Sequence, residues 1–465
     1  MTKWCVRVGV VAMGMAVGVP VLAQSAAWTV KPEWVRAHQE FLASDVMAGR
    51  GSATRDEEIT ATYVASEFMG YGLKPAPGMS GYLQAAEVEK PMLDGKATLT
   101  AGGVVLHEGE DFYVLVSTAK DASGPLKIAG EKAPGRGEQR GQVVLVPVPA
   151  GKAAMPMLQG MRGGGASLMI VPQDESTAGM LTMFGGKART PVALKGESRS
   201  GGSSIIAVKP AAMERLVAAG KTGEEAKLEV HVVAEATPRK TFNAIGYLAG
   251  TDPASGTILL TAHLDHLGVG APVNGDSIYN GANDDAAGTT AVLELAHALA
   301  NGPRLKRSVL FVCYGSEEAG ELGSTYFGEH PPVPLKDLVT NLEFEMIGGQ
   351  DPKMPKGVLL LTGWDRSNLG PTLKAHGALL GPDPYPDQHY FERSDNYALA
   401  LKGVVAHTAA GWGDPPTYHQ PSDDIAHLNL EFMTSAIQSL VEPVRWLASS
   451  DFRPKWNDGG QPKGQ

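Results

Sequence analysis

Residues 256–268 read GTILLTAHLDHLG: an apolar run of branched and aliphatic residues that finishes on His263, Asp265 and His266. Ile258, Leu259 and Leu260 have the look of a buried strand. A strand of that kind ends at the binding edge of an open α/β sheet, where ligands gather outside the carboxyl ends of the strands. The bland alternative is a polar strand end turning into a solvated loop. The rest of the chain decides between them.

From Phe242 onward apolar strands alternate with amphipathic helices. NAIGYLAG, TILLTAHL, SVLFVCYG, LEFEMIG, GVLLLTG and GVVAHTA read as strands, and AGTTAVLELAHALANG, NLGPTLKAHGALL and EFMTSAIQSLVEPVRWLAS as helices. The expected fold class is α/β, a mixed central sheet with helices on both faces and parallel strands in its middle. Two helices are expected to open the mature chain: PEWVRAHQEFLAS, then a Gly/Ser-rich joint, then RDEEITATYVASEFMGYGL with acidic residues in its first turn. Between about residues 102 and 240 the composition turns to short β-type runs (GQVVLVPV, ASLMIVP, SSIIAVK, KLEVHVVAE) interrupted by one short helix, AAMERLVAA. That stretch reads as a β-rich module inserted into the chain. The expected organisation is a signal peptide over 1–23, a discontinuous domain from 24–101 and 241–450, the insert over 102–240, and a disordered Pro/Gly-rich tail over 451–465.

Lys3 and Arg7 precede the apolar run VGVVAMGMAVGVPVLA, with small residues before a cut after Ala23. This predicts a secretory signal and a periplasmic or secreted protein, with no stable membrane insertion once the signal is cleaved. Cys5 leaves with the signal and Cys313 alone remains, so no intramolecular disulfide supports the mature fold. The formal charge of −10 becomes more negative once Lys3 and Arg7 are removed, which argues against a nucleic-acid partner.

The residues placed just after each strand carry the chemistry. His263 and Asp265 end the first; YNGANDDAAG brings Asp284 and Asp285; SVLFVCYGS leads into Glu317 and Glu318; Glu343 and Glu345 end the next; and GWGDPPTYHQPSDD carries Tyr418, His419, Asp423 and Asp424. Carboxylates gathered at this density repel one another unless a cation sits among them, and no run of Lys or Arg accompanies these segments. Divalent metal resolves the repulsion. Imidazole with carboxylate suits zinc, and one carboxylate can bridge two ions about 3.5–4 Å apart.

In that order AHLDHLG, GANDDAAG, GSEEAGELGS, FEMIG and YHQPSDD resemble the two-zinc aminopeptidases of metallopeptidase family 28. LASDVMAGRGS and NAIGYLAGTDP are similar to other segments of that family, and the insert resembles its protease-associated domain, best in GQVVLVPV and GMRGGGASLMIV. The resemblance implies two Zn2+ ions, one held by His263, Asp284 and Glu345 and the other by Asp284, Glu318 and His419. It implies Asp265 as the residue that orients His263, Glu317 as general base, Tyr418 as an oxyanion donor, and a cis peptide between Asp284 and Asp285. Glu345 stands where many members have aspartate, and Glu343 is its rival. The implied activity is trimming of peptides with a free N-terminus. A carboxypeptidase or dipeptidase of the same fold is the enzymatic alternative, and a metal-free receptor-like binding protein the non-enzymatic one; the latter would lack ligands, and none is missing here. The oligomeric state is not legible in the sequence.

Overall fold

A computed structural model describes Met1 and residues 28–463, apart from positions 131, 133, 136, 150, 184–185, 197–201 and 235–237. Residues 2–23 of the expected signal segment lie outside the described residues. No helix among them is long and apolar enough to cross a membrane.

The larger sheet has nine strands, in the order 380–382, 359–361, 406–410, 338–345, 257–263, 308–314, 239–248, 83–89, 193–194. Its middle is parallel: Ser308–Tyr314, Thr257–His263, Leu338–Glu345 and Ala406–Ala410 run the same way. Arg239–Leu248 and Leu83–Glu89 add antiparallel neighbours on one side. Alternate residues of each central strand feed two cores, as the period of two requires. Ile258, Leu260, Phe311 and Cys313 meet the helices Arg55–Gly70, Gly288–Ala300 and Leu430–Ser449 through Phe68, Leu293 and Ile437. On the opposite face Leu259, Leu310 and Val312 meet Phe327 and Leu399. With helices over both faces these strands are buried along their length, and the polar side chains inside them are hydrogen-bonded, Thr340 Oγ1 to the Val405 carbonyl, Asn341 Nδ2 to Thr261 Oγ1 and His407 Nδ1 beside the Thr362 carbonyl.

Local signals set the helix starts. Pro32 opens Pro32–Leu42, where its missing N–H costs nothing. Thr54 caps Arg55–Gly70 by accepting from the Asp56 amide at 3.2 Å, and Asn429 caps Leu430–Ser449 by accepting from Phe432 at 2.9 Å.

The insert forms its own eight-stranded sheet, in the order 104–107, 98–101, 225–229, 122–128, 143–145, 168–172, 204–208, 112–116. It begins before the expected boundary at residue 102, because Thr98–Ala101 pairs with Val104–His107 as a hairpin whose other edge meets Glu225–Glu229. Helices Ala154–Met161 and Glu175–Met183 accompany the single expected one, now Pro210–Thr222; the Met- and Gly-rich stretches that form them carry weak helical periodicity. The insert also returns to the large sheet. Ala193–Leu194 pairs with Glu89 and Val88 at the sheet edge, and Leu194 is buried among Ala53, Ala86, Val88 and Leu322.

The expected disordered tail is overturned over residues 451–463. Phe452 and Trp456 pack against the main core, the Lys455 amide donates to Asn368 Oδ1 at 2.7 Å, the Trp456 indole donates to the Gly403 carbonyl at 3.1 Å, and the Asn457 amide to the Arg366 carbonyl at 2.8 Å. Its Pro/Gly-rich composition hid two aromatic anchors, and those decide its placement.

Candidate metal centre

The candidate side chains stand at the carboxyl ends of the central parallel strands or in the loops that follow them. His263 closes Thr257–His263; its carbonyl accepts from Thr289 Oγ1 at 2.8 Å and its amide donates to Asp285 Oδ2 at 3.3 Å. Nδ1 of the ring lies 3.2 Å from the Asp265 main-chain oxygen but 3.8 Å from its carboxylate. The shorter contact from the ring is thus to the Asp265 backbone carbonyl, with the carboxylate of the same residue farther off. The carboxylate is drawn away by better donors, Ser52 Oγ at 2.6 Å and the amides of Glu317 and Glu318 at 2.9 and 3.4 Å. It thereby ties the end of one strand to the loop after the next.

Asp284 lies in a loop that begins at Gly281, φ +59°, and the Asp284–Asp285 peptide is cis. Asp285 faces away from the donors. It accepts from the amides of Gly288 and Met346 at 2.9 and 3.0 Å, which makes it a brace for the loop and for the start of the helix. Asp423 braces the other side, accepting from the amides of Asn283 and Asp284 at 2.9 and 3.0 Å.

These braces bring the donors together. Ligand atoms of His263, Asp284 and Glu345 all lie within 4.8 Å of one another, and so do those of His266, Asp284 and Glu318. His263 Nε2 is 3.2 Å from Asp284 Oδ1, and His419 Nε2 is 3.3 Å from Asp284 Oδ2 and 3.2 Å from Glu318 Oε1. Asp284 thus faces two clusters with its two oxygens, as a bridging carboxylate does. Glu343 stays apart: it is fully buried and accepts from Ser394 Oγ, Thr408 Oγ1 and the Asn396 amide. Tyr418 stacks on His419, centroids 3.8 Å apart.

The residues fit a metal. His263 Nε2, both ring nitrogens of His266 and Glu318 Oε1 are buried with no hydrogen-bond partner, a costly state that a cation relieves. Imidazole nitrogens and carboxylate oxygens are the donors zinc takes. The electrostatics agree. Burial works against ionisation of Asp284, yet His263 and His419 hold it well below the usual carboxylate range. Burial pushes Glu317 well above that range, His263 opposing and Glu318, Asp395 and Glu345 reinforcing the rise. A positive centre is what this edge is built to hold.

Four contributors had no role assigned from the sequence. His266 joins the second cluster. Asp423 sits in the YHQPSDD segment, yet nothing in its spacing tells that it binds amides and not metal. Glu57 is buried and accepts from Ser316 Oγ at 2.8 Å, Thr241 Oγ1 at 2.9 Å, and the Ala53 and Phe242 amides. Arg50 is the buried cation near these acids, but its guanidinium donates to the carbonyls of Leu42, Leu264, Asn280 and Gly281. Its signal was a lone arginine between two glycines.

A mixed α/β sheet whose parallel strands deliver imidazoles and carboxylates to one edge defines a metallohydrolase-like architecture. Residues 243–442 match the model of peptidase family M28. An aminopeptidase of Pseudomonas aeruginosa (strain UCBPP-PA14) is 31% identical over an alignment 285 residues long that covers 55% of this chain and 49% of that protein. The matches span about half the length or less of such curated relatives. An aminopeptidase structure from Aneurinibacillus sp. strain AM-1 superposes with a TM-score of 0.56 at 19% identity, over 90% of this chain and 94% of that one. BSAP, a zinc aminopeptidase from Bacillus subtilis, does so at 0.54 and 18% identity, over 94% and 98%. These two show the fold.

Proposed function

We propose that the chain is a secreted or periplasmic two-zinc exopeptidase that removes N-terminal residues from peptides. The observation that carries the reading is Asp284, buried between two donor clusters and facing each with a different oxygen. The aminopeptidases among its relatives support the choice of bond.

Bound zinc supplies a Lewis acid and brings the pKa of the attacking water towards about 7. Glu317 takes the water proton and returns it to the leaving amine. Its amide is fixed by the Asp265 carboxylate, so the base is aimed from the backbone. Burial, reinforced by surrounding acids, keeps the Tyr418 hydroxyl protonated, and as a donor it stabilises the developing oxyanion. The acidic edge favours a substrate with a protonated α-amine, and the insert resembles a protease-associated domain.

Rates on aminoacyl anilides and free peptides, set against N-acetylated copies, test the reading. Expected is cleavage of the free forms only, abolished by chelator and restored by zinc. Equal cleavage of the N-blocked peptides from their carboxyl ends would instead make the enzyme a carboxypeptidase.

A further inference from the structure

Residues 189–195 run from the insert to the large sheet, and they pass the loop that carries Glu317 and Glu318. At one end the Arg189 amide donates to the Leu115 carbonyl and the Arg189 carbonyl accepts from the Ser117 amide, both at 2.9 Å. Its backbone is thereby stitched to the end of the insert strand Phe112–Val116. At the other end Ala193–Leu194 pairs with Leu83–Glu89, and the Lys195 amide donates to the Glu87 carbonyl at 2.9 Å. Val192 and Leu194 pack in the cluster that also holds Ala319 and Leu322 of the passing loop. Between these anchors the Arg189 side chain crosses to the same loop, where Nη2 donates to the Glu318 carbonyl at 3.1 Å.

The loop needs holding. Ser316 and Glu321 sit at φ +54° and +59°, a region that residues with a Cβ occupy only where the surroundings enforce it. The large domain braces the start of the loop: Ser316 Oγ donates to Glu57 at 2.8 Å, and the Glu317 and Glu318 amides donate to the Asp265 carboxylate. Those bonds fix the amide side of Glu318. Its carbonyl, which sets the plane of the next peptide, is addressed from the insert. The donor there is charged, which strengthens the bond, and it stands on a backbone already pinned in a sheet.

We propose that Arg189 is a positioning residue, acting through the Glu318 backbone, by which the insert holds the loop of Glu317 and Glu318 in place for full turnover. The inference rests on the aminopeptidase reading above, which gives the loop its chemistry. Without the donor the 318–319 peptide is free to turn, and the backbone from which both glutamates are aimed turns with it. A misplacement of about 1 Å can cost roughly 100-fold in rate. The loss falls on turnover and not on substrate affinity, because Arg189 acts on the loop.

Arg189 is exposed, so replacing it opens no core. Arg189→Met keeps the stem and removes the donors; Arg189→Lys keeps a charged donor. The full chain, with zinc in excess, is assayed on an aminoacyl anilide, and hydrogen exchange of residues 315–322 is followed by mass spectrometry without zinc or substrate. Expected for Arg189→Met are a kcat about 10-fold to 100-fold lower, an unchanged KM and faster exchange in this loop, with both losses largely recovered in Arg189→Lys. Unaltered kcat and exchange in Arg189→Met overturn the proposal. So does an equal loss in Lys195→Ala, which breaks the Lys195–Glu87 ion pair of 2.6 Å at the same junction and leaves Arg189 in place. A parent protein that cleaves no anilide sinks the aminopeptidase reading alone, and the exchange rates then decide whether Arg189 holds the loop.

Discussion

The two sheets of this molecule each contain four adjacent parallel strands, and they bury very different residues. In the large sheet these are 308–314, 257–263, 338–345 and 406–410; in the insert they are 122–128, 143–145, 168–172 and 204–208. Among the described residues of the insert, the buried polar side chains are Ser117, Thr177, Thr190 and Ser204, none of them an acid or a histidine. The large sheet buries His263, Asp265, His266, Asp284, Asp285, Glu343, Asp395, His407 and Asp423. A parallel sheet offers an edge where a site can be built, and the residues placed after each strand decide whether one is. Within the large sheet a second contrast matters. Glu57 and Glu343 have donors supplied by the protein, whereas Glu318 Oε1, His263 Nε2 and both His266 nitrogens are left for something else.

The largest effect expected from that contrast is at Asp284. Asp284→Ala removes the oxygen facing each cluster, so elemental analysis of the purified variant should find the content of both ions collapsed. Retention of either ion at full occupancy would break the bridging assignment. Glu317→Gln should keep both ions and lower kcat by roughly 10²-fold to 10⁴-fold, the usual contribution of a general base; near-normal turnover with intact metal would remove Glu317 from that role.

A protein-satisfied group should respond to pH and not to chelator. His407 is buried, with Ser367 Oγ at 2.7 Å from Nε2 and the Thr362 carbonyl at 2.8 Å from Nδ1. Burial lowers it from 6.5 to about 4. The unfolded chain then binds the extra proton between those values, so stability present above pH 6.5 is lost as pH falls towards 4. The loss amounts to roughly 3 kcal/mol at most, at about 1.36 kcal/mol per unit. Urea titrations across this range should show a shallower slope for His407→Asn, and an unchanged slope would refute the linkage. The smallest effect is expected where the insert docks: Leu194→Ala should cost about 2 kcal/mol by opening a gap beside Ala86 and Leu322, with metal content unaltered. No shift in the denaturant midpoint would mean that the insert is only loosely attached.

The central strands were legible because an apolar run bounded by turn residues reports burial locally, and the helices because their period does. The site was legible as residue types placed after strands. Glu345 could be preferred to Glu343 only by resemblance, since two acids two residues apart on one strand are equivalent in the pattern. In the fold, donors from Ser394, Asn396 and Thr408 occupy Glu343, and Glu345 is the one near His263 and Asp284. The tail and the start of the insert were misjudged for a similar reason, because composition does not record which distant surface a Trp456 or a Thr98 will meet.

The sequence by itself determined the layered α/β class, the strand ends that carry acid and imidazole, and the need for a cation among them, all of which rest on periodicity and on charge density. Only the tertiary structure decided which oxygen faces which cluster, that the Asp265 carboxylate serves the amides of Glu317 and Glu318, and that His266 stands with the metal donors. Those choices depend on competition among donors and acceptors far apart in the chain, and only the folded protein brings the competitors within reach of one another.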